Sequence, residues 1–163
     1  MRNLNFVKRM TALAMALLFV FASNVTRREA VAANNLTPQQ IEAIVTDVFD
    51  KFAAMDAQGV ADLYAADGTI EDPVGQPPVQ GTAAIIAYIQ TFPTILNEIR
   101  VQSFDVTVAG QEAAIKWRLR FKTKSGNVFF VDGIGIFRIN GDGKVQSDRE
   151  YFDFAYFQSQ LQQ

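Results

Sequence analysis

The chain has 163 residues, of which 49% are hydrophobic, 12% aromatic and 20% charged. That balance fits one globular domain and excludes a disordered, collagenous or polytopic membrane protein. Cysteine and histidine are both absent, which removes thiolate and imidazole mechanisms and the His/Cys ligand sets of zinc, haem and iron-sulfur centres, and leaves any chemistry to carboxylates, Tyr, Lys, Ser or Thr.

Three cations, Arg2, Lys8 and Arg9, precede the apolar run Met10 to Ala22. The run is too short for the roughly 20 residues of a membrane-spanning helix, and Ala30-Val31-Ala32 supplies a small-x-small cleavage site. The pattern predicts a signal peptide over residues 1–32 and an exported, periplasmic or extracellular domain over residues 33–163, with no stable membrane span after cleavage. An uncleaved anchor is the alternative, favoured by the polar stretch Ser23 to Glu29. Cleavage would take five of the 15 basic residues and one of the 17 acidic ones, for a net charge of about −6 and no general attraction for nucleic acid.

Thr37-Pro38-Gln39-Gln40 reads as the N-cap, first-turn proline and capping-box glutamine of a helix. Its apolar stripe would be Ile41, Ile44, Val45, Val48, Phe52 and Met55. Asp56 caps a short second helix through Val60, Leu63 and Tyr64; Gly68 to Asp72 reads as a brief strand; Pro73 to Gly81, with three prolines, reads as loop; and Thr82 opens a third helix. Beyond Pro93, Arg100 to Val108, Ala113 to Thr123, Asn127 to Ile139 and Lys144 to Phe152 read as strands, the last three joined at hairpin distance. Helices first and an antiparallel sheet afterwards predict an α+β fold. Lys116, Arg118, Arg120, Lys122 and Lys124 alternate with apolar residues and so share an outward, solvated strand face. Gly133-Ile134-Gly135 lies inside a strand and lacks the strand-turn-helix setting of a nucleotide fingerprint.

Tyr64-Ala65-Ala66-Asp67-Gly68-Thr69-Ile70-Glu71-Asp72-Pro73-Val74-Gly75-Gln76-Pro77-Pro78-Val79-Gln80-Gly81 resembles the segment that carries the general base of bacterial ketosteroid isomerase. The order of elements is similar to the same family's NTF2-like or SnoaL-like cone, a curved sheet wrapped on three N-terminal helices around an apolar pocket. The resemblance implies a catalytic base at Asp72. It places the family's oxyanion tyrosine on Val48 and its protonated aspartate on Gly135, so both oxyanion donors are missing and turnover of a 3-keto-Δ5-steroid should be weak or absent. Asp132 could replace the second donor if a bulge at Gly133 or Gly135 turned it inward.

On the last strand Gln146, Asp148, Glu150 and Phe152 share one face. The resemblance gives Phe152 a pocket-lining place, which would turn Asp148 and Glu150 toward the cavity; alternatively these acids sit at the rim, paired with Lys116, Arg118 or Arg149. The catalytic candidates are thus Asp72, Asp132 and Glu150, with Tyr88 as a further donor, and the pocket candidates Val48, Phe52, Tyr88, Trp117, Gly135, Asp148 and Phe152. Most of the aromatic residues would be core, and the remainder favour a small apolar or polycyclic ligand. The resemblance implies proton transfer next to a carbonyl without cofactor or metal, in a possible homodimer; a non-catalytic binder of a lipophilic ligand is the alternative reading.

Overall fold

The computed structural model describes residues 36–163, which form one compact unit; the expected signal peptide and its cleavage site lie outside the described residues. Helix α1 (Pro38–Ala53) opens on the capping box: the Thr37 side chain accepts from the Gln40 backbone, and the Gln40 side chain accepts from the Thr37 backbone. Its buried residues are Ile41, Val45, Val48 and Phe49, and it packs on the sheet. Helix α2 (Ala57–Leu63) is capped by Asp56, which accepts from the Gly59 backbone. It leads straight into β1 (Tyr64–Glu71), longer at its start than the sequence reading because Tyr64 leaves the helix for extended backbone.

The stretch expected to be loop contains a two-residue strand β2 (Val79–Gln80) paired back on β1. Helix α3 (Thr82–Ile89) and a single turn α4 (Phe92–Ile95) follow. The meander is β3 (Leu96–Ala109), β4 (Glu112–Thr123), β5 (Val128–Ile139) and β6 (Val145–Phe152). The sheet order is β2-β1-β6-β5-β4-β3. All neighbours are antiparallel except β1 and β6, which run parallel. That parallel pair is the departure from the expected antiparallel sheet. The helices between β1 and the meander bring the chain to the far edge, so β6 returns beside β1.

Strand β4 shows strict alternation, with Ile115, Trp117, Leu119 and Phe121 buried and Lys116, Arg118, Lys122 and Lys124 exposed. The outward basic face expected from the sequence is therefore present, with Arg118 paired to Asp132 and Arg120 to Glu98. A fifth helix, α5 (Phe154–Leu161), was not expected. Its signal is Asp153, whose side chain accepts from the Tyr156 backbone. Phe157 of α5 packs edge-on against Phe121 and Phe129, a burial worth about 2–3 kcal/mol that holds the short helix over the sheet. Among the described residues no helix is long and apolar enough to cross a membrane.

Candidate functional site

A cavity of about 100 Å³ lies between the helices and the inner face of the sheet. Val48, Phe49 and Phe52 of α1 form one wall, and Tyr88, Ile89 and Phe92 another. Trp117, Leu119 and Phe121 of β4 form the floor, while Phe152, Phe154 and Phe157 close the end beside β6. Its polar groups are the carboxyls of Asp72, Asp148 and Glu150, the hydroxyls of Tyr64 and Tyr88, and the indole N–H of Trp117.

Asp72 is the first residue after β1, where the chain leaves the sheet. The loop behind it is fastened to β6 by the Val74 N–H, which donates to the Glu150 carbonyl at 2.7 Å, and to β1 by the Gly75 N–H, which donates to Glu71 Oε1 at 3.0 Å. On the helix side the Tyr88 hydroxyl donates to Asp72 Oδ2 at 2.5 Å. The base candidate is thereby held from two directions, as a proton acceptor must be to meet a substrate hydrogen at a fixed point.

Asp148 and Glu150 are two residues apart on β6 and both point inward, with exposures of 5% and 7%. The Tyr64 hydroxyl donates to Asp148 Oδ2 at 2.7 Å, and the Trp117 N–H donates to Glu150 Oε2 at 2.6 Å. The second bond runs from β4 to β6 across the intervening β5. Two glycines open that lane. Gly133 pairs with Trp117 and Gly135 with Glu150; a Cβ on Gly133 would lie 2.1 Å from the indole, and one on Gly135 would lie 2.7 Å from Glu150 Oε1. Glycine inside a strand marks such a close approach.

Burial is the leading cause of every raised pKa in the cavity, because a low-dielectric wall disfavours the charged form. It lifts Asp72 above the usual carboxylate value, against the opposing hydrogen bond from Tyr88. It lifts Asp148 from 3.8 to about 7, with the Tyr64 hydrogen bond opposing and the charge of Asp72 adding. Glu150 is pushed well above its ordinary range by burial, then by Asp148 and Asp72. Its carboxyl also lies within hydrogen-bonding range of Asp148, so the pair can hold one proton between them. Glu71, next in sequence to Asp72, goes the other way: the Gly75 N–H and then Arg149 lower it.

Of the residues expected at the site, Asp72, Glu150, Val48, Phe52, Tyr88, Trp117, Asp148 and Phe152 all line the cavity. Gly135 lies beneath Glu150 rather than in the lining. The rim alternative for Asp148 and Glu150 is overturned, since both are buried and Arg149, on the opposite face of β6, pairs with Glu71. Asp132 is also corrected. The register between β4 and β5 runs unbroken past it, with no bulge at Gly133 or Gly135, and its side chain, 66% exposed, faces Arg118 on the outer surface. An unbroken strand keeps residue 132 opposite in direction to residues 131 and 133. The sequence reading missed the part played by Tyr64. It pairs with Asp148, 84 positions away, and no local pattern announces that pairing.

The SnoaL-like domain pattern matches residues 45–147, more than half of the chain. The protein belongs to the SnoaL-like family. A steroid Δ-isomerase from Nocardioides simplex is 29% identical over 114 residues, which is 69% of this SnoaL-like chain and 89% of the isomerase. Among solved structures, a protein assigned as a polyketide cyclase from Xanthomonas campestris pv. campestris is 16% identical, with a TM-score of 0.68 over 76% of this chain and 97% of its own. An NTF2-like protein of unknown function from Burkholderia pseudomallei is 18% identical, with a TM-score of 0.66 over 78% and 100%. SalBIII, an epoxide hydrolase/cyclase-like enzyme described in pyran ring formation in the polyether salinomycin, is 21% identical, with a TM-score of 0.61 over 72% and 93%. The three structures establish the NTF2-like α+β fold of this SnoaL-like protein.

Proposed function

We propose that this SnoaL-like domain acts on a small apolar ligand by proton transfer next to a carbonyl, with Asp72 as the general base. The observation that carries the reading is the meeting of two unlike carboxyls in one apolar cavity: Asp72, which Tyr88 helps keep ionised, and Glu150, which burial keeps neutral. Environments that drive two acids apart give a base and a donor from the same residue type. Tyr88 occupies Asp72 Oδ2, so Oδ1 takes the proton. As the C–H bond breaks, its electron pair forms the enol double bond and negative charge moves to the carbonyl oxygen. Glu150, held through Oε2 by Trp117, donates from Oε1 to that oxygen. Return of the proton from Asp72 to a different carbon completes an isomerisation.

Exchange of α-hydrogens for deuterium in a panel of apolar cyclic ketones tests the base without knowledge of the natural substrate. Asp72→Asn should slow exchange by about 10²- to 10⁴-fold. Val48 gives the wall an apolar surface where the isomerase resemblance calls for a tyrosine donor. That favours a second reading, a non-catalytic binder, and absence of enzyme-dependent exchange in the wild type would select it. Val48→Tyr should speed exchange, whereas Gly135→Asp should not, because its Cβ would meet Glu150.

The export reading belongs to the same proposal: intact mass of exported protein should give an N-terminus at Ala33 or within a few residues of it. Pairing of two copies would cover Phe130, Ile134 and Tyr151, which are exposed on the outer sheet face, and sedimentation of the purified domain tests it.

A further inference from the structure

The charge in the cavity is one-sided. Asp72, Asp148 and Glu150 all face it, and none of its lining residues is Lys or Arg. The cations of the sheet lie on the other surface, where Arg118 faces Asp132 and Arg149 faces Glu71. Asp148 adds an independent sign of something to be bound. It is buried, it lines the cavity, and while Oδ2 accepts from Tyr64, its Oδ1 has no hydrogen-bond donor besides the acidic proton that Glu150 can offer. A buried carboxylate oxygen without a donor is costly, and a charged donor satisfies it best. The remaining walls are largely aromatic, with Phe49, Phe52, Phe92, Trp117, Phe137 and Phe152 contributing ring surface, and ring faces attract cations.

We infer that the ligand of this cavity is a lipophilic amine, bound as its ammonium ion with the nitrogen on Asp148 Oδ1 and the apolar body among the aromatic rings. This rests on the proposal that the cavity is the ligand site, and does not depend on Asp72 acting as a base. The three carboxyls do not form a metal-ligand set, so an organic cation suits them better than a bare metal ion. Binding is coupled to protonation: the ammonium displaces the proton that Asp148 holds up to about pH 7, while Glu150, pushed well above its ordinary range, keeps its own, so below that pH a proton leaves as the ligand enters. The ionisable groups that face Asp148 are Tyr64 from β1, Glu150 from β6 itself, Asp72 from the loop after β1 and Tyr88 from α3. With no lysine or arginine among them, no resident cation competes with the ligand.

Isobutylamine, isobutanol, methyl isopropyl ketone and isobutyrate are compact probes of one shape, small enough for a cavity of about 100 Å³. They are spectroscopically silent, so the single tryptophan, Trp117, reports their binding by its fluorescence, and calorimetry in two buffers of different ionisation enthalpy counts protons. The amine should bind at least about tenfold more tightly than the alcohol or ketone, the carboxylate should bind least, and the amine alone should release a proton. Asp148→Asn should bring the amine and the alcohol to within about threefold. Should that variant fail to fold, wild-type titrations serve instead: the preference for the amine should shrink as pH falls through about 7, where Asp148 gains its proton. Equal binding of amine, alcohol and ketone overturns the amine inference and leaves the ligand cavity standing. Binding of none of the four at millimolar concentration overturns both.

Discussion

The two faces of the β6 end of the sheet carry the same residue type and put it to opposite use. On the outer face Glu71 meets Arg149 at 3.0 Å and Asp132 meets Arg118 at 3.4 Å, with solvent on both pairs. On the inner face Asp148 and Glu150 have no cation, and their hydrogen bonds come from a phenol and an indole. Neighbours in sequence differ as sharply: Glu71 is held below its ordinary value and Asp72 above it. The lesson is that the side of the sheet a carboxylate faces decides whether it is a solvated, paired charge or a buried acid that holds its proton to higher pH.

The comparison is tested most strongly through Asp72. If the inner face is the reactive one, Asp72→Asn should lower α-hydrogen exchange by about 10²- to 10⁴-fold while Glu71→Gln changes it less than about threefold. Equal losses for the two neighbours would show that the face does not matter.

Next in size is the effect on stability of burying Asp148. The folded protein keeps its proton up to about pH 7, whereas an exposed aspartate loses it near 3.8. Between those values the folded state binds more protons, so stability falls as pH rises, and the penalty is complete above the folded value and absent below the unfolded one. The penalty, divided between Asp148 and Glu150, is on the order of a few kcal/mol. Asp148→Asn should therefore melt well above wild type at about pH 8, and the two should converge by about pH 3.5. A constant difference across that range would mean that Asp148 is not the group whose burial matters.

The glycine lane gives a smaller but more local effect. Gly133→Ala places a methyl group against the Trp117 ring and should cost about 1–3 kcal/mol. It should also shift the emission of Trp117 as the indole leaves Glu150. Unchanged emission in a folded variant would show that the lane is not what holds the Trp117 to Glu150 hydrogen bond.

The smallest effect is expected outside. Asp132→Asn breaks an exposed pair and should change stability by less than about 1 kcal/mol, with ligand affinity untouched. A loss of binding in this variant would restore Asp132 to the site and undo the contrast between the faces.

The sequence by itself determined the parts of this protein that depend on local rules. The capping residues Thr37 and Asp56, the buried Ile41, Val45 and Val48 of α1, the strand alternation that turns the β4 cations outward, and the shared face of Asp148, Glu150 and Phe152 all follow from spacings of three, four or two residues, while the direction of that last face came only from the resemblance. The resemblance of residues 64–81 singled out Asp72, which does face the cavity. Tertiary structure decided the rest. It set β1 parallel to β6, which brings Tyr64 to Asp148, and it passed Trp117 over two glycines to Glu150. It also left Asp132 outside, because an unbroken register gives no bulge to turn it. These pairings join residues 33 to 84 positions apart. Their energy depends on which groups exclude water around them, and that is a property of the assembled cavity rather than of any segment of the chain.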